Sequence, residues 1–407
     1  MSESFLNNRV TLHAGDCLDV MPTLEENSID AVCCDPPYHL TSIVKRFSNS
    51  NVSDATKTSE RVRNRADGYA RLVGTGFMNA KWDGGDIAYR DETWASIMRV
   101  LKPGAYCAAF GSTRGGHNMA AAMERAGFIM HPFIAWVFAT GFPKATRVQS
   151  DEWEGWRYGT QSLKPAIEPI YVGQKPFSEK TGTANVLRWG TGALNIDACR
   201  IHSEDVAMHR LRHGGGIAGN GTSYELPDSR GEQPPGRWPA NLCHDGSDEV
   251  VAEFPETKSL GHLPRSGGAK AIWQHGKEIR EDIGANNGFG GSGSAARFFF
   301  SAKADAHDRI GSKHPTIKPI DLMQWLCRLI TPPGGTVLDC FAGTGTTAEA
   351  AYHEGFSAVL IEREPEYQAD IRRRMALILS GPDERKRESI KARGRMEDAG
   401  PLFGTEL

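Results

Sequence analysis

Residues 335–364, GTVLDCFAGTGTTAEAAYHEGFSAVLIERE, decide the fold. An apolar strand pattern runs into a glycine loop, a helical pattern follows, and a second apolar strand pattern ends at Glu362. Two strands joined by a helix within about 30 residues are typical of a parallel sheet. The stretch therefore predicts an α/β fold.

The glycine loop of this unit predicts a nucleoside-binding site. Gly343 and Gly345 would let a ligand approach the backbone, and the following helix offers unpaired N–H groups. Glu362, at the end of the second strand, would accept hydrogen bonds from two ribose hydroxyls. Phe341 would cover an adenine ring or a sulfonium, and Asp339 would bind an amino group, which suits S-adenosylmethionine. The glycine spacing also fits dinucleotide cofactors, so NAD stays open at this point.

The rest of the chain continues the alternation of strands and helices. Strand patterns cover 9–16, 28–35, 105–112 and 128–138, and helical patterns cover 91–101, 115–127 and the segment after Pro319. Residues 151–300 differ, because they hold 23 of the 45 glycines and show weak periodicity. We predict a catalytic half at 1–150, a loop-rich insertion at 151–296, a cofactor half at 297–380 and a polar tail at 381–407.

Composition limits the function classes. The chain has 407 residues, 39% of them hydrophobic, and a net charge of −3, so any polyanion binding must use local patches. The eight cysteines form no CxxC pair, which indicates reduced thiols, and no metal site is predicted. No secretory pattern and no run of about 18 apolar residues is present, so we expect a cytoplasmic protein without membrane contact.

The tetrapeptide Asp35-Pro36-Pro37-Tyr38 follows an apolar strand pattern. The two prolines fix φ and remove two N–H donors, which leaves the Asp35 carboxylate and the Pro36 carbonyl as acceptors. Two acceptors suit a group with two N–H donors, such as the exocyclic amino group of a base, and Tyr38 would stack on the ring. Drawing both hydrogens away would localise the nitrogen lone pair for attack on a methyl group. The alternative is a rigid turn with a solvated carboxylate.

These patterns resemble the amino-group DNA methyltransferases, the adenine-N6 and cytosine-N4 enzymes that use S-adenosylmethionine. DPPY at 35–38 matches their catalytic tetrapeptide, and DCFAGTGTT at 339–347 matches their cofactor loop, with mild departures at Cys340 and Thr344. HPTIKP at 314–319 and AGDCLDVMPTL at 14–24 match two further segments. The tetrapeptide precedes the cofactor loop, as in one subgroup of the family. The presence of all four segments in this order argues against NAD as the cofactor.

The resemblance implies a Rossmann-like methyltransferase fold, with a seven-stranded, mostly parallel sheet in circularly rearranged order. The Gly-rich insertion would recognise the target. Asp35 would polarise the amino group, Tyr38 would stack on a flipped-out base, and the transfer would be direct. The implied cofactor-binding residues are Asp16, His314, Thr316, Lys318, Asp339, Phe341, Gly343, Gly345, Thr346, Thr347 and Glu362.

The resemblance favours adenine over cytosine, because cytosine enzymes more often begin the tetrapeptide with Ser. Cytosine-N4 methylation stays the alternative, and a non-catalytic nucleic-acid binder or a methyltransferase for RNA or protein glutamine is less favoured. A prokaryotic or phage-encoded protein is implied. Some relatives dimerise or accompany a restriction endonuclease, and both partners stay open.

A basic cluster follows the tetrapeptide, and it would either contact DNA phosphates beside the active site or form a solvated loop. Its members are Lys45, Arg46, Lys57, Arg61, Arg63, Arg65 and Arg71.

Overall fold

The computed structural model describes residues 2–38, 86–202, 236–259, 273–274, 277–278, 291–302, 306–310, 312, 314, 316–381, 384–385 and 387. Its strands are β1 Ser2–Phe5, β2 Val10–Ala14, β3 Ile29–Cys34, β4 Leu101–Phe110, β5 Ile129–Val137, β6 Lys144–Arg147, β7 Arg157–Gln161, β8 Ile167–Gln174, β9 Leu242–His244, β10 Glu256–Ser259, β11 Trp273–Gln274, β12 Lys277–Glu278, β13 Gly291–Ser294, β14 Phe300–Ser301, β15 Thr336–Asp339 and β16 Ser357–Glu362. Its α-helices are α1 Cys17–Val20, α2 Asp91–Val100, α3 Gly116–Arg125, α4 Gly182–Trp189, α5 Asp248–Ala252, α6 Ile320–Ile330, α7 Thr346–His353 and α8 Pro365–Leu377.

One large sheet carries the fold, in the order β1-β2-β16-β15-β3-β4-β8-β5-β9-β14. The strands from β2 to β4 in that order are parallel, whereas β8 runs antiparallel to both β4 and β5. The predicted α/β fold with a mostly parallel sheet is confirmed. The sheet has ten strands in the described residues rather than seven, because β1 extends one edge and β9 and β14 extend the other.

Helices cover both faces of the sheet. All six residues of β3 are buried, and its alternate side chains enter two separate cores. Helices α6, α7 and α8 supply one core, and α2 and α3 supply the other. A strand covered on both faces has no solvated side, which explains the near-continuous apolar run before the tetrapeptide.

The range 151–296 is more closely tied to the sheet than a separate insertion would be. It contributes β8, between β4 and β5, and β9, beside β5. Strand β8 hydrogen-bonds to β4 and β5 of the main sheet rather than to a strand of its own range. Its recognition role stays a prediction, and most of the tail at 381–407 lies outside the described residues.

The direction of the strands decides where polar side chains meet. The parallel strands β2, β16, β15, β3 and β4 all end at one edge, where ligands bind in open α/β sheets. The antiparallel β8 begins at that same edge, so its first residues join those strand ends.

No α-helix in the described ranges is long and apolar enough to span a bilayer.

Candidate active site

A cavity of about 960 Å³ opens at the carboxyl edge of the parallel strands. Its lining includes every predicted catalytic and cofactor-binding residue except Gly345: Asp16, Asp35, Pro36, Pro37, Tyr38, His314, Thr316, Lys318, Asp339, Phe341, Gly343, Thr346, Thr347 and Glu362. Four segments that are distant in sequence therefore line one cavity.

The two glycines of the cofactor loop have different surroundings. Gly343 has a φ of +51° and lines the cavity. Gly345 has a φ of +78° and precedes α7, and a Cβ atom built on it would lie 3.1 Å from Cγ1 of Ile371 in α8. Both positions need glycine for the left-handed backbone. Gly343 serves the cavity, whereas Gly345 serves the packing of α8 against the loop.

Glu362 ends β16 and connects that strand to the glycine loop. Its Oε2 accepts a hydrogen bond from the Gly343 N–H at 2.7 Å, and its Oε1 accepts one from the Glu364 N–H at 2.8 Å. Burial raises the pKa of Glu362 to about 7, although these two N–H groups favour the charged form. Each carboxylate oxygen keeps a lone pair for a ligand hydroxyl.

Asp339 ends β15 and holds the start of the loop. Its Oδ2 accepts from the Thr347 hydroxyl at 2.5 Å, and its Oδ1 accepts from the Phe341 N–H at 3.0 Å. Burial raises the pKa of Asp339 to about 7. The side chain is thus a loop-closing group that also faces the cavity.

Asp16 lies at the cavity wall, where it caps α1. The Leu18 N–H donates to Asp16 Oδ1 at 3.0 Å, and Arg363 Nη1 lies 3.6 Å from Asp16 Oδ2.

His314 packs its ring against Tyr367, with the ring centroids 4.7 Å apart. Its Nδ1 accepts from the Thr316 N–H at 3.3 Å. Burial lowers the pKa of His314, which favours the neutral imidazole at the cavity wall.

The tetrapeptide is fixed by hydrogen bonds at its two ends. The Tyr38 hydroxyl donates to Asp35 Oδ1 at 2.8 Å, and the Tyr89 hydroxyl donates to the Tyr38 carbonyl at 2.9 Å. Burial raises the pKa of the Tyr38 phenol, and the carboxylates of Asp35 and Glu168 add to this. Tyr38 therefore orients the Asp35 carboxylate, a contact that its predicted stacking role did not include.

Lys318 lies against the tetrapeptide. Its Nζ is 2.9 Å from Asp35 Oδ2, 3.1 Å from the Tyr38 hydroxyl and 3.2 Å from Glu168 Oε2. Glu168, the second residue of β8, was not predicted as a site residue. Its only sequence signal is an acid near the start of a strand, which identifies a site once the strand is known to run antiparallel.

The predicted DNA-contacting residues, from Lys45 to Arg71, lie outside the described residues. Their role stays a prediction.

The fold and cavity define an α/β protein with a cavity at the carboxyl ends of its parallel strands. The chain belongs to the N6/N4 DNA methylase family, since the family model described as DNA methylase matches residues 29–373.

Two curated relatives are Type II methyltransferases. M.HindIII of Haemophilus influenzae is 25% identical over 205 residues, which cover 45% of this chain and 64% of the relative. M.BglI of Bacillus subtilis is 30% identical over 130 residues, which cover 32% of this chain and 33% of the relative. The chain thus spans less than two thirds of the length of either relative.

Two solved structures match most of the chain at lower sequence identity. The cytosine-N4-specific PvuII DNA methyltransferase is 13% identical with a TM-score of 0.42, and the match covers 95% of this chain and 93% of that one. The M1.HpyAVI complex with S-adenosylmethionine is 14% identical with a TM-score of 0.37, and the match covers 89% of this chain and 98% of that one.

Proposed function

We propose that the protein transfers a methyl group from S-adenosylmethionine to an exocyclic amino group in DNA, with N6 of adenine as the favoured target. The observation that carries the proposal is the position of the Asp35 carboxylate in the same cavity as the glycine loop. Family membership supports the reaction, and the four residues at 35–38 support an amino nitrogen as the acceptor.

The residues at the glycine-loop end fit the cofactor. Glu362 would accept from the ribose hydroxyls, because its oxygens accept from the N–H groups of Gly343 and Glu364 and a carboxylate has about four lone-pair sites. The open backbone at Gly343 would let the nucleoside approach closely. Asp16, Asp339, Phe341 and His314 would complete the walls of this half of the cavity. When bound, S-adenosylmethionine supplies an electrophilic methyl group.

The residues at the tetrapeptide end fit a planar group with two N–H donors. Asp35 and the Pro36 carbonyl would accept these two hydrogens, which leaves the nitrogen lone pair localised and directed at the methyl group. Tyr38 holds one Asp35 oxygen through its hydroxyl and would contact the base with its ring. A base in duplex DNA would have to flip out to reach this cavity.

The choice of adenine rests on Asp35 as the first residue of the tetrapeptide. Cytosine N4 carries the same pair of amino hydrogens, so the contacts at Asp35 and Pro36 serve either base. Adenine is therefore the finer part of the proposal and is tested by the identity of the product.

The basic residues after the tetrapeptide would hold the DNA backbone near the cavity. Reversing the charges of Arg61 and Arg63 should weaken DNA binding and flatten its dependence on salt, and an unchanged salt dependence would exclude this contact.

The Type II names of two relatives support a restriction–modification role in a prokaryotic or phage setting. Homodimerisation stays a prediction.

One assay tests the proposed function directly. The protein is incubated with S-adenosylmethionine labelled on its methyl group and with unmethylated DNA, and the nucleosides of the digested DNA are then separated. Label in N6-methyladenine is the expected result. Label in N4-methylcytosine would overturn the choice of base, and unlabelled DNA would overturn the proposed function.

A further inference from the structure

Lys318 is a buried cation at the tetrapeptide end of the cavity. It is 6% exposed, and its Nζ lies 4.8 Å from the ring centroid of Phe110. Three oxygens surround the ammonium within 3.2 Å, from Asp35, Tyr38 and Glu168. An ammonium group has three protons, so these oxygens already account for all of its donors. The side chain is thus committed to the tetrapeptide and has no donor left for a cofactor carboxylate.

Glu168 is the second carboxylate at this ammonium. Its Oε2 is buried and makes no aligned hydrogen bond within the described ranges, so the ion pair with Lys318 compensates its charge, with a smaller contribution from Tyr38. Burial raises the pKa of Glu168, and Lys318 opposes this effect. An isolated buried carboxylate is costly, which makes an accidental placement of Glu168 here unfavourable.

We propose that Glu168 and Lys318 form a positioning pair for Asp35, in which Lys318 holds Asp35 Oδ2 and Glu168 holds Lys318. This inference rests on the proposed methyl transfer and extends its machinery beyond the tetrapeptide. Tyr38 holds the other oxygen, Asp35 Oδ1, so the carboxylate is fixed at both ends. A second lone pair on each oxygen stays available for the amino group.

The charges of the pair also act on the carboxylate of Asp35. Two carboxylates and one ammonium meet in a desolvated site, and within the described residues Tyr38, His314 and Asp339 are further titratable groups that act on them. Without Lys318, the carboxylates of Asp35 and Glu168 repel each other with no cation between them. Without the charge of Glu168, the attraction between Lys318 and Asp35 is unopposed.

The two halves of the pair therefore have opposite effects on the pH dependence of kcat. Lys318→Met should lower kcat about 100-fold and move the acidic limb of the pH profile to higher pH by about one unit. Glu168→Gln should lower kcat less, by about threefold, and move the limb to lower pH. The double variant removes the repulsion and the attraction together, so its limb should return toward that of the wild type and its kcat should exceed that of Lys318→Met.

The experiment measures kcat against pH at saturating DNA and cofactor, together with the Kd for S-adenosylmethionine by titration calorimetry. The pair predicts that the Kd of Lys318→Met stays within about twofold of the wild type. A Kd raised about tenfold with kcat unchanged would make Lys318 a cofactor contact and overturn the proposal. Limb shifts of the same sign in both single variants, or no shift in either, would also overturn it.

Lys102→Met is the matched control. It removes an ion pair of similar type, with Lys102 Nζ 2.6 Å from Asp30 Oδ1, near the other end of β3. This control should lower stability without moving the pH profile, which separates positioning from loss of fold. If the wild type itself leaves DNA unlabelled, the proposed function is wrong, and the proposed role of the pair is wrong as well. If the wild type labels DNA but the limbs do not move, the pair alone fails.

Discussion

The two ends of the cavity are built in different ways. The glycine-loop end is built around one continuous unit, β15-α7-β16, and the carboxylates of Asp339 and Glu362 are bound by N–H and hydroxyl groups of that unit or its next residues. The tetrapeptide end joins side chains from the segment after β3, from β8 and from the segment before α6, and ion pairs hold it together. The contacts of the glycine-loop carboxylates thus lie within one local unit, whereas the charged end requires segments from distant parts of the sheet.

This difference predicts that the two ends separate functionally, with chemistry at one and cofactor affinity at the other. Asp35→Ala gives the sharpest separation. It should lower kcat about 10³-fold, because the acceptor for the amino hydrogens is lost, and leave the Kd for S-adenosylmethionine within about twofold. Methyl transfer to DNA and titration calorimetry measure the two effects.

Asp35→Asn is the control for that variant, since it keeps the side-chain volume and removes the charge. This variant should also show no appreciable methyl transfer to DNA. Weakened cofactor binding in both variants would mean that the two ends do not act separately.

Glu362→Gln is the converse test, at the glycine-loop end. Hydroxyl donors bind an ionised carboxylate more strongly, so the Kd should rise about tenfold while kcat at saturating cofactor changes little. Because burial raises the pKa of Glu362 to about 7, the affinity of the wild type should increase as pH rises through that value. The variant should lose this pH dependence. Glu366→Gln, an exposed change four residues on, should behave like the wild type.

The same carboxylate should affect stability without the cofactor. A raised pKa in the folded state means that the stability contribution is present at low pH and is lost as pH rises through about 7. Glu362→Gln should therefore gain stability relative to the wild type between pH 5.5 and 8, by about 2 kcal/mol. Thermal unfolding of the ligand-free proteins at both pH values measures this, and a constant difference between them would contradict it.

Gly345→Ala should have the smallest effect on function. The left-handed backbone, with a φ of +78°, and the contact with Ile371 should cost about 1–2 kcal/mol of unfolding free energy. Cofactor affinity should change little, because Gly345 is absent from the cavity lining. Gly343→Ala is the matched comparison and should weaken cofactor binding instead. Equal effects of the two changes on affinity would contradict the division between the glycines.

Most of the site was accessible from the sequence because its residues lie at strand ends. Asp35, Asp339 and Glu362 each follow an apolar run, and parallel strands bring such ends together. Glu168 was missed because it lies near the start of a strand. It reaches the cavity only because β8 runs antiparallel to β4. Lys318 was predicted at the cavity but as a cofactor contact, and the structure directs its ammonium at Asp35 and Glu168.

The sequence by itself determined the α/β fold, the glycine loop with its terminal acid, and the rigid acceptors of the tetrapeptide. These features depend on local periodicity, on glycine and proline conformations and on short-range hydrogen bonds, all of which are encoded in neighbouring residues. Only the tertiary structure decided the partners of Lys318, the position of Glu168 at the cavity and the number of strands in the sheet. Those outcomes depend on strand direction and on charges that are more than a hundred residues apart, which no local pattern records.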